Sequence, residues 1–465
     1  MRRVVRPLAL LCGLATVLAV LAGPASAHEI SSSQFTAPLP LTWLFVGAGG
    51  TVALTAAWLG VTDRVSLSGS AWTLDSISPT VASGLRTFAR VAFFVLFMAA
   101  LVHGVTGRQV SAENLATVFV WPVWLKGIGM LAILFGSPWR VISPWESLYD
   151  ALVTLEGKEI SVLGSLPSWV GSWPAVVGFC VGVGIVENLT VVPRSPQTTV
   201  VLVASYTVVM LVGAVLFGRG FFERADMLTV LYRLFGRVAP VRFERTDAGG
   251  YEVGLRSPWA GCTRAVTRFS LVVFVVAAVY TVSFDGFTNT PEFETLAIDL
   301  ADRLAMGPDV GILLYVVGLA GFVASYVLAA VLVERLATGR IDDWAVAARA
   351  FAPTVVPIAA AYEVAHNYPF IAQNLGQFLT ILRDLFLADG AALALLSWLP
   401  VSAFWGSQIL LIVGGHVIAV VAAHHVAAGR YDGLSAARRG HLPLVVVMVG
   451  YTILSLWIVS RPLVS

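Results

Sequence analysis

A glutamate and a histidine stand three residues apart in an otherwise apolar stretch of the chain. Glu363 and His366 would share one face if this stretch is a helix. Carboxylate-bridged metal sites in helix bundles use the same Glu-x-x-His spacing, although those sites need two copies and this chain has one. The spacing also suits a hydrogen-bonded polar pair that holds one helix to its neighbours, so both interpretations stay open.

Two further histidines lie in apolar stretches, His103 and His416. Imidazole and carboxylate groups bind zinc, iron or copper, and two imidazoles on facing helices would bind a b-type haem. We therefore predict that His103, His366 and His416 bind a divalent metal or haem, with Glu363 as the catalytic residue. A metal-free role as polar contacts between helices remains the alternative.

Two other ionisable residues interrupt apolar stretches, Lys126 and Glu187. Lys126 is either a desolvated functional amine or a lysine that is paired or reaches toward the membrane surface. Glu187 falls at the end of its stretch, where we expect it to be solvated. His424 and His425 follow His416 near a basic loop, and we expect them at the membrane interface.

The composition of the chain indicates that membrane-spanning segments position these side chains. The chain has 58% hydrophobic and 12% charged residues, whereas soluble domains have about 25% charged residues. Long uncharged runs in such a chain indicate a lipid bilayer as its surroundings. A net charge of +2 and the lack of basic stretches interleaved with aromatics argue against nucleic acid as a partner.

Residues 1–27 have the three parts of a signal peptide: a positively charged start, an apolar core, and the small-residue site Ala25-Ser26-Ala27. Cleavage at that site would leave residues 28–465 as one transmembrane helical domain whose N-terminus lies outside the cell. The protein would then reside in a prokaryotic plasma membrane.

Ten apolar stretches are long enough to cross a hydrocarbon core of about 30 Å. The sequence therefore predicts an all-α polytopic bundle of about ten transmembrane helices after a cleaved signal peptide. A further segment, 375–400, is apolar but contains charges, and it predicts an interfacial or re-entrant helix, with an extra span as the alternative. The ten predicted spans are 41–61, 91–107, 117–136, 167–186, 198–217, 269–286, 310–333, 350–373, 405–428 and 443–460.

Loop charges orient these spans. The loop 218–268 has nine arginines and five acidic residues, whereas 285–309 has six acidic residues and one arginine. Arginine-rich loops lie in the cytoplasm, so 218–268 should be cytoplasmic, 285–309 external, and both termini external. Within the first loop, Asp247-Ala248-Gly249-Gly250 predicts a small hairpin.

This orientation gives each candidate residue a depth. The second and eighth helices would run outward and the ninth inward, which places His103, Glu363, His366 and His416 at similar depths. The four side chains could therefore converge between these three helices.

Five motifs are distributed along the chain: Pro38-Leu39-Pro40-Leu41-Thr42-Trp43, Glu113-Asn114-Leu115-Ala116-Thr117, Ser283-Phe284-Asp285-Gly286-Phe287, Gly415-His416 and Met448-Val449-Gly450-Tyr451. Together they resemble a mostly uncharacterised prokaryotic family of multipass membrane proteins, some members of which are labelled fenitrothion hydrolase. The resemblance implies a membrane-embedded phosphotriester hydrolase, and His366, His416 and His424 match the family's recurrent histidines. The chain departs from the family at Ser143, where asparagine is usual, and at Asn367-Tyr368, where Tyr-Phe is usual.

Four functions are compatible with these residues. A hydrolase would use a histidine-bound metal to generate hydroxide. A transporter would use the same groups as a mid-membrane proton or cation site. A respiratory subunit would hold haem between the eighth and ninth helices. A scaffold subunit would use the polar residues only to lock its helices together.

Overall fold

The computed structural model describes residues 40–61, 72–307, 309–386 and 393–461. The predicted signal peptide and its cleavage site lie outside these residues. Within them, ten helices are long and apolar enough to cross a membrane, which confirms the prediction of an all-α polytopic bundle. They are α1 Leu41–Val61, α2 Pro79–Thr106, α3 Leu115–Phe135, α4 Ser168–Glu187, α5 Pro196–Phe217, α6 Phe269–Thr288, α7 Val310–Thr338, α8 Trp344–Asp384, α9 Val401–Arg430 and α10 Ser435–Val459.

The eighth span differs from its prediction. Its main helix runs without a break over Val356–Phe386, so the first part of the segment 375–400 continues α8 and is not a separate helix. At 1.5 Å per residue, these 31 residues span about 46 Å. The helix is therefore longer than a hydrocarbon core of about 30 Å, and its end projects beyond it.

A three-stranded antiparallel sheet joins two loops that are far apart in the sequence. Its strands are β1 Trp72–Ile77, β2 Val241–Arg245 and β3 Tyr251–Leu255, in the order β1-β3-β2. Between β2 and β3 the chain turns at Gly249, whose φ of 86° favours glycine. The predicted hairpin is thereby confirmed.

The sheet also tests how often the chain crosses the membrane. β1 follows one span and β3 follows five, and strands that share hydrogen bonds must lie on the same side. One and five are both odd numbers of crossings, so β1 and β3 lie on the same side of the membrane, opposite the start of α1. The pairing of β1 with β3 therefore agrees with the assignment of α1 to α5 as complete spans.

Short helices between the spans are organised around one buried carboxylate, that of Asp226. It accepts hydrogen bonds from Trp139 Nε1 at 2.9 Å, Trp145 Nε1 at 3.1 Å, the Tyr206 hydroxyl at 2.8 Å and the Thr229 hydroxyl at 2.7 Å. These donors come from three segments of the chain. Asp226 therefore fixes the helices around residue 145 and residue 230 against the middle of α5.

A second carboxylate lies close to this hub. Glu146, on the helix Pro144–Glu156, is 4% exposed, and its carboxylate lies 4.0 Å from the Arg219 guanidinium. Burial, together with the nearby charge of Asp226, raises the pKa of Glu146 to about 7.

The substitution Glu146→Gln should make stability less sensitive to pH. Because the folded-state pKa is raised from 4.5 to about 7, the folded protein holds a proton that the unfolded chain releases, so stability falls as pH rises through this window. At pH 8 the variant should regain about 1–3 kcal/mol relative to the wild type. Thermal unfolding in detergent at pH 5 and pH 8, followed by tryptophan fluorescence, measures this difference. Glu156→Gln, at the exposed end of the same helix, is the control, and an equal response of both variants would contradict the prediction.

Reporter fusions should confirm the sidedness of two loops. A reporter inserted in the turn between β2 and β3 should lie in the cytoplasm, because the surrounding loop is rich in arginine. A reporter inserted in the acidic helix Pro291–Leu304 should lie outside. Alkaline phosphatase and green fluorescent protein, which are active on opposite sides, provide the two measurements. The same side for both loops would refute this topology.

Candidate intramembrane ion-pair site

A lysine lies between two glutamates in the interior of the bundle. The Lys126 ammonium of α3 lies 3.1 Å from Glu187 Oε1 of α4 and 3.8 Å from Glu363 Oε1 of α8. The side chains of the three residues are 8%, 12% and 8% exposed. One positive charge thus joins three membrane-spanning helices. The expectation that Glu187 is solvated is wrong, because its carboxylate turns inward to Lys126.

Local departures from α-helical geometry present these side chains. A π-helical segment of α3, Phe119–Gly127, contains Lys126, and a second in α4, Cys180–Glu187, ends at Glu187. Pro122 lies inside the first segment, where its missing N–H breaks the α-helical hydrogen-bond ladder. Extra residues of this kind rotate the following side chains relative to a regular helix and often occur at functional sites. Both partners of the shorter ion pair are placed in this way.

A second pair lies beside the first. His366 Nε2 of α8 lies 3.3 Å from Asp285 Oδ2 of α6, and the His366 ring stacks on Tyr362 with centroids 6.0 Å apart. Since His366 is three residues beyond Glu363, the two acid–base pairs share one face of α8. The Glu-x-x-His spacing therefore serves two separate polar contacts, one to α3 and one to α6.

The charges of this site do not balance. Three carboxylates, one ammonium and one imidazolium, all ionised, give three negative and two positive charges and hence a net charge of −1. A buried net charge is unfavourable in a membrane interior. The site therefore favours retention of one additional proton or cation.

A small cavity adjoins the charged groups. It has a volume of about 20 Å³ and is lined by Lys126, Asp285 and Glu363, together with Asn188. This volume suffices for about one water molecule. In the described part of the chain, the Asn188 amide nitrogen and Glu187 Oε2 are buried without a hydrogen-bond partner. The cavity thus provides room for one water beside Lys126, Asp285 and Glu363.

The predicted metal ligands each have a different neighbour. His103 Nδ1 accepts a hydrogen bond from the Leu115 amide at 3.1 Å, which links the end of α2 to the start of α3. His416 is fully buried, and its Nδ1 donates to the Ile412 carbonyl at 2.8 Å. His366 faces Asp285, as described above.

The described residues contain no group of three or more histidine, cysteine, aspartate or glutamate side chains that could hold a metal ion. The structure brings Glu363 and His366 into one site but gives His103 and His416 contacts of their own. The metal and haem assignments stay predictions, with no support from the arrangement of these side chains.

Another histidine contact was missed by sequence reasoning. His424, expected at the interface, is buried, and its ring lies 5.4 Å from that of His441 on α10. His441 lies two residues before the predicted span 443–460, whereas the helix begins at Ser435. Ionisable residues were considered within the predicted spans, so the early start of this helix kept His441 out of view.

Comparisons with family models, curated proteins and solved structures find no match to this chain. The family resemblance of the sequence motifs stays a prediction.

Replacing Lys126 by methionine should destabilise the protein strongly. Glu187 and Glu363 would lose their shared counter-charge, and removing one partner of a buried pair costs about 3–5 kcal/mol. The double variant with Lys126→Met and Glu187→Gln should recover part of this loss, because it removes one of the two stranded charges. Unfolding in detergent measures both effects. Lys158→Met is the matched control, since Lys158 is 76% exposed, and an equal loss there would contradict the prediction.

Proposed function

We propose that this protein is a proton-coupled membrane permease. The observation that carries the proposal is the buried Lys126 between Glu187 and Glu363, with the Asp285–His366 pair beside it. Ionisable groups that converge inside a bundle of membrane spans are typical of proton relays and ion pathways.

The unequal distances around Lys126 suggest how coupling would operate. Its ammonium lies closer to Glu187 than to Glu363. A proton that neutralised Glu187 would weaken the shorter contact and favour Glu363 as the partner. The charge would then shift from α4 toward α8, and the two helices would be held differently in the protonated and deprotonated states. Two such arrangements are what coupling between proton binding and a conformational change requires.

A large apolar cavity supports a hydrophobic or amphipathic substrate. It has a volume of about 660 Å³, within the range of about 300–1,000 Å³ for ligand pockets. Leu125 and Val183 line both this cavity and the small one beside Lys126, so the two lie back to back. Outward-facing residues of α4 and α5, such as Val177 and Val209, open it toward lipid. Its aromatic lining consists of Trp121, Trp124, Trp145, Trp169, Trp173, Tyr206 and Phe221.

Proton binding tests this proposal without knowledge of the substrate. Proteoliposomes on a solid-supported membrane, subjected to a pH jump from 7 to 5, should give a transient charge displacement. Glu187→Gln and Glu363→Gln should each reduce the displaced charge by at least half, because each removes a proton acceptor of the site. Glu113→Gln, in an exposed pair with Arg108, should behave as the wild type. A wild-type signal equal to that of empty liposomes would refute the proposal.

A hydrolase is the second candidate, as the family resemblance implies. The Asp285–His366 pair favours it, because a carboxylate that orients a histidine is a common general-base arrangement. Hydrolysis of a chromogenic phosphotriester that is lost in His366→Asn but kept in Glu187→Gln would favour this candidate over the permease.

A further inference from the structure

A second cavity lies at the ends of the spans on the side of the arginine-rich loop. It has a volume of about 460 Å³ and includes Phe217 at the end of α5, Leu271 near the start of α6 and Ser172 near the start of α4. It is therefore located where the spans leave the hydrocarbon core, at the level of lipid headgroups. Four arginines line it: Arg224, Arg233, Arg237 and Arg268.

Acidic residues are scarce around these four arginines in the described chain. Glu223 is the one acidic residue among the lining residues of this cavity, and its carboxylate lies 3.3 Å from Arg140. In the part of the chain that the structure describes, none of the four forms an ion pair. Arg224 donates to the Leu166 and Pro167 carbonyls, and Arg237 donates to the Arg264 carbonyl at 2.5 Å. Carbonyl groups orient these guanidinium groups but leave their positive charges unbalanced.

Several partly buried arginines elsewhere in the described chain are paired with acids. Arg90 and Arg219 both contact Asp150, and Arg430 lies 3.2 Å from Glu334. Arg256 instead donates to backbone carbonyls, as Arg224 and Arg237 do. The cavity differs from these sites because four arginines without an ion pair line one space.

Like charges in the cavity act on one another. Burial and then the neighbouring charge of Arg268 lower the pKa of Arg224. Burial also lowers the pKa of Arg237, and the charges of Arg233 and Arg264 act in the same direction. Mutual repulsion of this kind is relieved when an anion enters.

We infer that this cavity binds a phosphate group. Guanidinium groups present planar pairs of N–H donors that match phosphate oxygens, and the hydroxyl groups of Ser165, Ser172 and Thr267 also line the cavity. Basic pockets between spans on the cytoplasmic side are suited to the headgroups of anionic phospholipids. A soluble phosphate compound from the cytoplasm has the same chemistry, and the two sources differ in whether acyl chains are needed.

Binding is measured on the full-length protein in neutral detergent. One arm uses inorganic phosphate, and the other uses short-chain phosphatidic acid, with short-chain phosphatidylcholine as the zwitterionic reference. Stabilisation by phosphate alone indicates a soluble ligand. Stabilisation by phosphatidic acid, but by neither phosphate nor phosphatidylcholine, indicates a lipid. Both outcomes support the site, whereas no stabilisation by phosphate or phosphatidic acid overturns it.

Variants separate a built site from general charge attraction. Arg268→Gln is the main variant, because the Arg268 side chain donates no hydrogen bond within the described residues and its loss should leave the fold intact. It should raise the Kd at least tenfold, and Arg233→Gln should have a similar effect. Arg245→Gln, on the exposed face of β2, removes the same charge outside the cavity and should change the Kd less than twofold. Equal weakening by Arg245→Gln and Arg268→Gln would overturn the proposal.

Discussion

A charge in hydrocarbon requires counter-charges within contact distance, and the interior of this bundle is arranged around that requirement. An unpaired lysine at mid-membrane costs about 2.5–3.5 kcal/mol on insertion scales. Lys126 meets two carboxylates from two other spans, so α3, α4 and α8 are held in one relative position. Apolar packing between helices in lipid is far less specific, because lipid tails are as apolar as the side chains they would replace. The polar contacts therefore select the register that the apolar surfaces permit.

The same contacts make structure and chemistry inseparable in this region. An ion pair designed only for stability would match its charges, but here three acids meet two bases. The excess acid leaves one carboxylate without a positive charge of its own. The two π-helical segments place Lys126 and Glu187 at some expense of regular hydrogen bonding, which is consistent with selection for the side chains they present.

The spans and one hairpin could be predicted from local composition. The spans follow from apolar length, and the hairpin before Tyr251 follows from its glycine turn. Each residue could be assigned a depth from its position within a predicted span, and these depths stay predictions. Lateral neighbours could not be predicted, since hydropathy does not show which helices touch. For this reason His103 and His416 were grouped with His366 by depth. In the structure, the partner of His366 is Asp285. Glu187 was misjudged because the direction of its side chain depends on a π-helical segment that composition does not show.

Pairing between β1 and β3 has a consequence for synthesis of the protein. Ile77 pairs with Tyr251, so β1 leaves the ribosome 174 residues before its partner. At about 5–20 residues per second, that strand waits roughly 10–35 s while α2 to α5 are made and inserted. During this interval its backbone donors and acceptors lack their final partners, and such an edge readily recruits other strands. Early biogenesis of this protein therefore leaves one short segment unpaired at the membrane surface until the loop after α5 has been made.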